Sequence, residues 1–318
     1  MLPALNAFLG KWMPLITPSS VVIGILTSSY LHPFVDFVPW LFAFMTFSGS
    51  LSANFKTLRQ SIVHPLPIFI SMMILHVLTP VWAWAVSHLF FDGDPLTITG
   101  LILAVVIPTG ITSVIWVSLY HGNISVTLSI ILIDTLLSPF IVPYSVYLFV
   151  GQSVEMDVSG LMQGLFFMVV LPTIIAMILN QYTQRSFTEN LSQRLAPFAK
   201  LGLPFIIAIN SSAMAPYLKT MDLKFLKIAG TILFISVSGF LLCWLLGYLF
   251  RQRRGNTIAL IFTGGMRNIS TGVVIAVSYF SPQVAIPVIM GMLFQQMLAA
   301  LNGHFITVRM KSVKGISR

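Results

Sequence analysis

Charge is scarce in this chain. Asp, Glu, Lys and Arg make up 8% of its 318 residues, against 57% apolar residues. Soluble domains carry about 25% charged residues, so the shortage excludes an ordinary water-soluble fold and points to a protein that lies in lipid. Cysteine is nearly absent: Cys243 stands alone, which excludes an internal disulfide and any multi-cysteine metal site. Acidic residues are fewer than basic ones, and the net charge is +9. A nucleic-acid surface does not follow from that excess. The Lys and Arg residues sit in short loops between apolar runs, where membrane topology accounts for them. Catalytic signatures are missing too. There is no His-Glu-x-x-His, no Gly-x-Ser-x-Gly and no second buried acid to pair with Asp134, so a membrane enzyme is disfavoured. The first residues lack the early positive charge and small-residue cleavage site of a secretory leader. Residues 1–12 are expected to form a short interfacial helix.

What the chain does have is long apolar runs. About 20 such residues cross a hydrocarbon layer of about 30 Å, and ten runs are readable: 13–31, 37–54, 66–91, 96–120, 124–150, 158–180, 197–217, 225–250, 257–280 and 284–306. Short connections leave no room for a soluble domain. An even count puts both termini on one side. That side then collects thirteen basic residues, among them Lys56, Arg59, Arg251, Arg253 and Arg254. The other side holds three, Lys219, Lys224 and Lys227, and six of the eight acids, including Asp92, Asp94, Glu155, Asp157 and Asp222. The positive-inside rule places both termini in the cytoplasm.

The ten runs divide into two sets of five, 1–155 and 156–318, whose centres match at an offset of about 150–160 residues. Five is odd, so the second set runs opposite to the first, the inverted repeat common in secondary transporters. The fourth run contains "VIPTGITSV", where Pro108 removes a backbone donor and Gly110 loosens the helix. The ninth contains "IFTGGMRNIS", with Gly264 and Gly265. Both interruptions lie near mid-membrane, where non-helical backbone is tolerated only inside protein or along a cavity. Paired interruptions at corresponding positions mark a transport site; the plain alternative is a kink or a close helix contact. Thr109, Thr112 and Ser113 follow the first break. Thr263, Arg267, Asn268, Ser270 and Thr271 surround the second.

Two formal charges lie deep in the runs, Asp134 and Arg267. A charge facing lipid at that depth costs at least about 2.5–3.5 kcal/mol, so both are expected to face the protein interior. Their equal depth allows a direct ion pair. Such a pair either stabilises the fold or meets the substrate or coupling ion. His76, in "MILHVLTP", is a neutral histidine bonded to a neighbouring helix or a proton relay. His121, in the turn "YHGN", is expected to be solvated.

"PTGITSVIWVSLYHGNISVTLSIILIDTLLSPFIVP" and "GGMRNIS" resemble the bile acid:sodium symporter family. The resemblance implies an all-α integral membrane fold of ten transmembrane helices in two inverted five-helix repeats. Spans four and nine would break and cross in a core domain. A panel domain of spans one, two, six and seven would pack against it, with an organic anion between the two. By that resemblance Asn268 lies near the substrate, and Ser113 and Thr127 match sodium-site positions. The family's sodium-site carboxylate on span nine is Thr263 here, and the glutamine of its Gly-Met-Gln-Asn run is Arg267. Val114 replaces an asparagine, and Asp134 replaces a hydroxyl residue. Arg267 then stands where bound sodium would supply positive charge, and Asp134 where the lost carboxylate could be made up.

The expectation is therefore an ion-coupled importer of an organic anion in a bacterial plasma membrane. Arg267 suits a carboxylate or sulfonate, since its planar fork can hold two oxygens. Candidate substrate contacts are Asn268, Arg267, Thr112 and Thr109. Candidate coupling-ion contacts are Ser113, Thr127, Asp134, Thr263, Gly264, Met266 and His76. Sodium is the expected coupling ion and a proton the alternative, with no other cofactor. An uncoupled carrier is the remaining transport reading; arsenite efflux is disfavoured, because Cys243 lies on the eighth run and not the fourth.

Overall fold

The computed structural model describes residues 2–53, 65–151, 154, 156–218 and 223–316. Several topology residues lie outside them: the loop 55–61 with Lys56 and Arg59, Glu155, Lys219, Asp222 and Arg318. Among the described residues the secondary structure is helical, with one isolated backbone bridge and no strand. In chain order the helices are α1 (Leu2–Leu26), α2 (Ser28–Leu31), α3 (Val38–Ser50), α4 (Pro65–Phe91), α5 (Pro95–Val106), α6 (Ser113–Leu119) and α7 (Ile124–Val150). Then follow α8 (Val158–Tyr182), α9 (Arg185–Leu218), α10 (Leu223–Leu249), α11 (Arg254–Gly265), α12 (Ile269–Tyr279) and α13 (Ala285–Ile316).

Among the described residues, six helices are long and apolar enough to cross a bilayer: α4, α7, α8, α9, α10 and α13. Residues 19–26 and 28–50 form a further pair bent by 86°. The first boundary differs from the sequence reading. Helix α1 runs unbroken from Leu2 through Pro14 and Pro18 to Leu26, so residues 2–12, the described part of the expected interfacial helix 1–12, are continuous with the helix that follows. Proline is tolerated in helices in lipid because neighbouring groups re-satisfy the freed carbonyls.

The fourth and ninth runs are each divided, into α5 plus α6 and α11 plus α12. At 12, 12 and 11 residues, α5, α11 and α12 each span about half the membrane at 1.5 Å per residue, and α6, at 7 residues, about a third. Helix α5 is apolar all round, and Thr97 through Val106 are all buried. It lies between α4, α7 and α13, while α12 packs on α13 and α9. Ile269 and Thr271 through Ala276 of α12 are buried likewise. Residues 107–110 of the first interruption and 266–267 of the second are buried in protein, the condition for irregular backbone at this depth, while Ile111 and Thr112 are exposed. Trp116, Tyr120 and Phe262 stack with ring centroids 5.8–6.4 Å apart and join α6 to α11. Helices α1, α3 and α8 each pack on α9, and α3 packs on α8, whereas α10 packs on α11 and α13.

The loops sort onto two faces. On one, Lys224 Nζ meets Asp94 Oδ2 at 2.8 Å, and Lys227 sits 5.1 Å from the Phe91 ring centre. On the other, the Asn123 amide donates to Gly255 O at 2.9 Å, and Asn123 Nδ2 to Asn256 Oδ1 at 2.9 Å. His121 lies in this second region, exposed, with a positive φ of 56°.

Candidate functional site

Helix α5 stops where Pro108 enters, because the residue before a proline is pushed out of the helical region. Ile107 has φ −59° and ψ 150°. Helix α11 stops at Gly265, and Met266 is extended at φ −112° and ψ 136°. The glycines are therefore not the gap itself. They close the half-helix and admit neighbours: a Cβ at Gly264 would strike Cys243 Sγ, and one at Gly265 would strike the Phe240 ring. Both neighbours belong to α10, so the glycine pair is a packing device as well as a loose joint.

The two extended segments cross antiparallel. Thr109 and Arg267 form the bridge. Asn268 N donates to Pro108 O at 2.7 Å and Gly110 N to Met266 O at 3.3 Å. Thr109 Oγ1 reaches Thr263 O at 2.6 Å and Met266 O at 3.0 Å. Asn268 caps α12, its side chain accepting weakly from Thr271 N at 3.5 Å. At this point two helix carboxyl ends and two helix amino ends meet, with partial negative and positive charge respectively.

Asp134 and Arg267 do not form the direct ion pair that equal depth allowed. Asp134 is fully buried; its Oδ2 accepts from Thr109 N at 2.6 Å, and its Oδ1 shares a 2.8 Å hydrogen bond with His76 Nε2. His76 sits in a π-helical turn of α4, Ile74–Leu78, a widened turn frequent at functional sites. Arg267 is 6% exposed. Its Nε donates to Val105 O at 2.8 Å and its Nη1 to Gly264 O at 2.6 Å. In this conformation two of the three guanidinium nitrogens are held by carbonyls of the protein. Each charge found its own partners because helix-end carbonyls and backbone amides lie closer than the opposite charge does.

The crossing thus brings together Thr109, Asp134, His76, Thr263, Gly264, Met266, Arg267 and Asn268 through direct hydrogen bonds or chain adjacency. Thr112, at the start of α6, is exposed. Ser113 and Thr127 are fully buried. Thr127 Oγ1 returns to Asn123 O at 2.9 Å, and Ser113 Oγ has no partner among the described residues. Two residues join the site that sequence reasoning does not select. Gln295 of α13 clamps the Arg267 main chain, accepting from its N at 2.7 Å and donating to its O at 3.0 Å. Ser71 Oγ lies 3.4 Å from Thr263 Oγ1. The adjacent glutamines Gln295 and Gln296 inside an apolar run are a visible signal for the first; a lone serine in a membrane helix is none.

A multi-pass membrane protein with two broken helices crossing inside it has the build of a secondary transporter. The chain belongs to the sodium bile acid symporter family, whose profile matches residues 39–221. It is 55% identical to the uncharacterized protein YbaS of Bacillus subtilis (strain 168), over 92% of this chain and 96% of that one. It is 23% identical to a probable chloroplastic sodium/metabolite cotransporter, BASS2, of Oryza sativa subsp. japonica, over 85% of this chain and 65% of that protein. A third relative, the uncharacterized sodium-dependent transporter YocS of Bacillus subtilis (strain 168), is 21% identical over 84% and 83%. The protein is accordingly a transporter of the sodium-coupled class and not an enzyme.

Proposed function

We propose that the protein takes up an organic anion of the bile acid, pantoate, keto acid or sulfonate class by sodium-coupled alternating access. The observation that carries this reading is the antiparallel crossing, in which Thr109 meets Met266, 157 residues further on. That separation equals the repeat offset readable in the sequence. It supports ten spans in two inverted repeats, 1–155 and 156–318. The clustering of α1, α3, α8 and α9 supports a panel formed by spans one, two, six and seven. The anion then lies between panel and core, at the positive amino end of α12, with Asn268 and Thr112 as its contacts. Ser113 and Thr127 are the leading sodium contacts. Names of the plant relatives point the same way, towards a sodium/metabolite cotransporter. The Bacillus relative at 55% identity favours a bacterial plasma membrane, and the charge bias puts both termini in the cytoplasm.

A second reading, proton coupling, is favoured by one contact, the His76–Asp134 bond at 2.8 Å. Purified protein in vesicles separates the two. Under an imposed sodium gradient, labelled anions of the four classes are offered, and at least one is expected to accumulate. Accumulation under a proton gradient alone selects the second reading; accumulation under neither sinks both. Asn268→Ala is expected to lower uptake at least about tenfold, a loss of about 1.4 kcal/mol of binding, while the protein still folds with the small loss of stability that removal of a helix cap brings. Normal uptake by that variant removes Asn268 from the substrate site.

A further inference from the structure

We infer that the Arg267 guanidinium is a tethered cation, fixed where two half-helix carboxyl ends converge, in a position that would otherwise take a free metal cation. This deepens the carrier reading above and rests on it only for the consequence for coupling. The last turn of a helix leaves up to four carbonyls without intrahelical donors, and that end carries about half a negative charge. Helices α5 and α11 aim two such ends at one spot. A cation or a set of hydrogen-bond donors satisfies them there, beside a small cavity lined by Val105, Gly264, Arg267 and Gln295.

Arg267 does both. One guanidinium bridges the two helices, with Nε on Val105 O at 2.8 Å and Nη1 on Gly264 O at 2.6 Å. The neighbouring carbonyls are committed as well. Thr109 Oγ1 lies on Thr263 O and Met266 O, Gly110 N on Met266 O, and Asn268 N on Pro108 O. A hard cation in a protein is held by several oxygens that replace its water shell. Here the carbonyls of Val105, Gly264, Thr263, Met266 and Pro108 each already accept at least one hydrogen bond. On α11, Thr263 offers a neutral hydroxyl, which donates to Ala259 O at 2.8 Å.

The guanidinium is also anchored. Gln295 holds both main-chain groups of Arg267, at 2.7 and 3.0 Å. A side chain wedged between two helices, on a backbone clamped from a third, stays in place while substrate comes and goes. The consequence is a carrier whose crossing closes without a metal ion at this spot. Each turnover then moves one cation fewer than a crossing with open carbonyl ends would need.

The test reads stability in two salts, not transport. Purified protein, Arg267→Gln, Arg267→Ala and Arg267→Lys are unfolded thermally in sodium chloride and in choline chloride at equal ionic strength. Arg267→Gln and Arg267→Ala are expected to fall by roughly 5 °C or more in choline. Sodium should restore at least half of that loss, a larger sodium-specific rise than the unmodified protein shows. Arg267→Lys, which keeps a tethered charge, should follow the unmodified protein. A sodium-specific rise in both neutral variants no larger than in the unmodified protein overturns the inference. So does a neutral variant that keeps the full unfolding temperature in choline, or the failure of both neutral variants to fold in either salt. If the unmodified protein transports none of the offered anions, the functional reading fails and this one still stands on its own measurement.

Discussion

Asp134 is the residue whose neighbours say most about how a charge survives in the middle of this protein. It faces a backbone amide and an imidazole, Thr109 N at 2.6 Å and His76 Nε2 at 2.8 Å. Removing the carboxylate strands the Thr109 N–H, and a buried unpaired donor costs about 1–3 kcal/mol. A double-mutant cycle on His76→Ala and Asp134→Ala is expected to give a coupling energy of about 0.5–3 kcal/mol in unfolding experiments. Additivity within about 0.5 kcal/mol would mean that the hydrogen bond contributes nothing. That Asp134 and Arg267 would be buried is legible in the sequence, since lipid tolerates neither. Their partners are not, because Arg267 binds carbonyl oxygens of Val105 and Gly264, and every residue carries a carbonyl. The same blindness hides the partner of Gln295, though not the glutamine itself, because its contacts with Arg267 are to the main chain.

Among the elements, α10 and α11 illustrate how a loose joint is also a tight fit. Gly264 and Gly265 read in the sequence as places where the helix opens, yet both remain helical and the chain departs at Met266. What they contribute is proximity: Cys243 and Phe240 of α10 lie where side chains would be. Gly265→Ala is expected to destabilise by about 1–3 kcal/mol through overpacking, and Phe240→Leu in the same chain should recover part of it. A Gly265→Ala variant as stable as the unmodified protein in denaturant titration would show that the ring gives way freely. Proline at 108 was the more direct sign of a break, because its geometry forbids the helix locally. The first helix shows the opposite case. Pro14 and Pro18 lie inside α1 and end nothing, so proline alone does not fix a boundary in lipid.

At the scale of the whole molecule, the loops meet in the pairs that the charge bias assigns to common faces. Asp94 meets Lys224, and Asn123 meets Gly255 and Asn256. With Cys243→Ser as background, Asp92→Cys should react with an impermeant thiol reagent in intact cells, and Arg253→Cys only after permeabilisation. Labelling of Arg253→Cys from outside would reverse or break the ten-span topology. The centre of the molecule has a further property. The crossing is tied by the amides of Gly110 and Asn268 to the carbonyls of Met266 and Pro108, groups that no substitution other than proline removes. A joint written in backbone can be inherited while the letters around it change. Relatives at 21–23% identity can then diverge in what lines the cavity without rebuilding the frame that holds it. In such a lineage, cargo and driving ion are free to change hands long before the architecture has to.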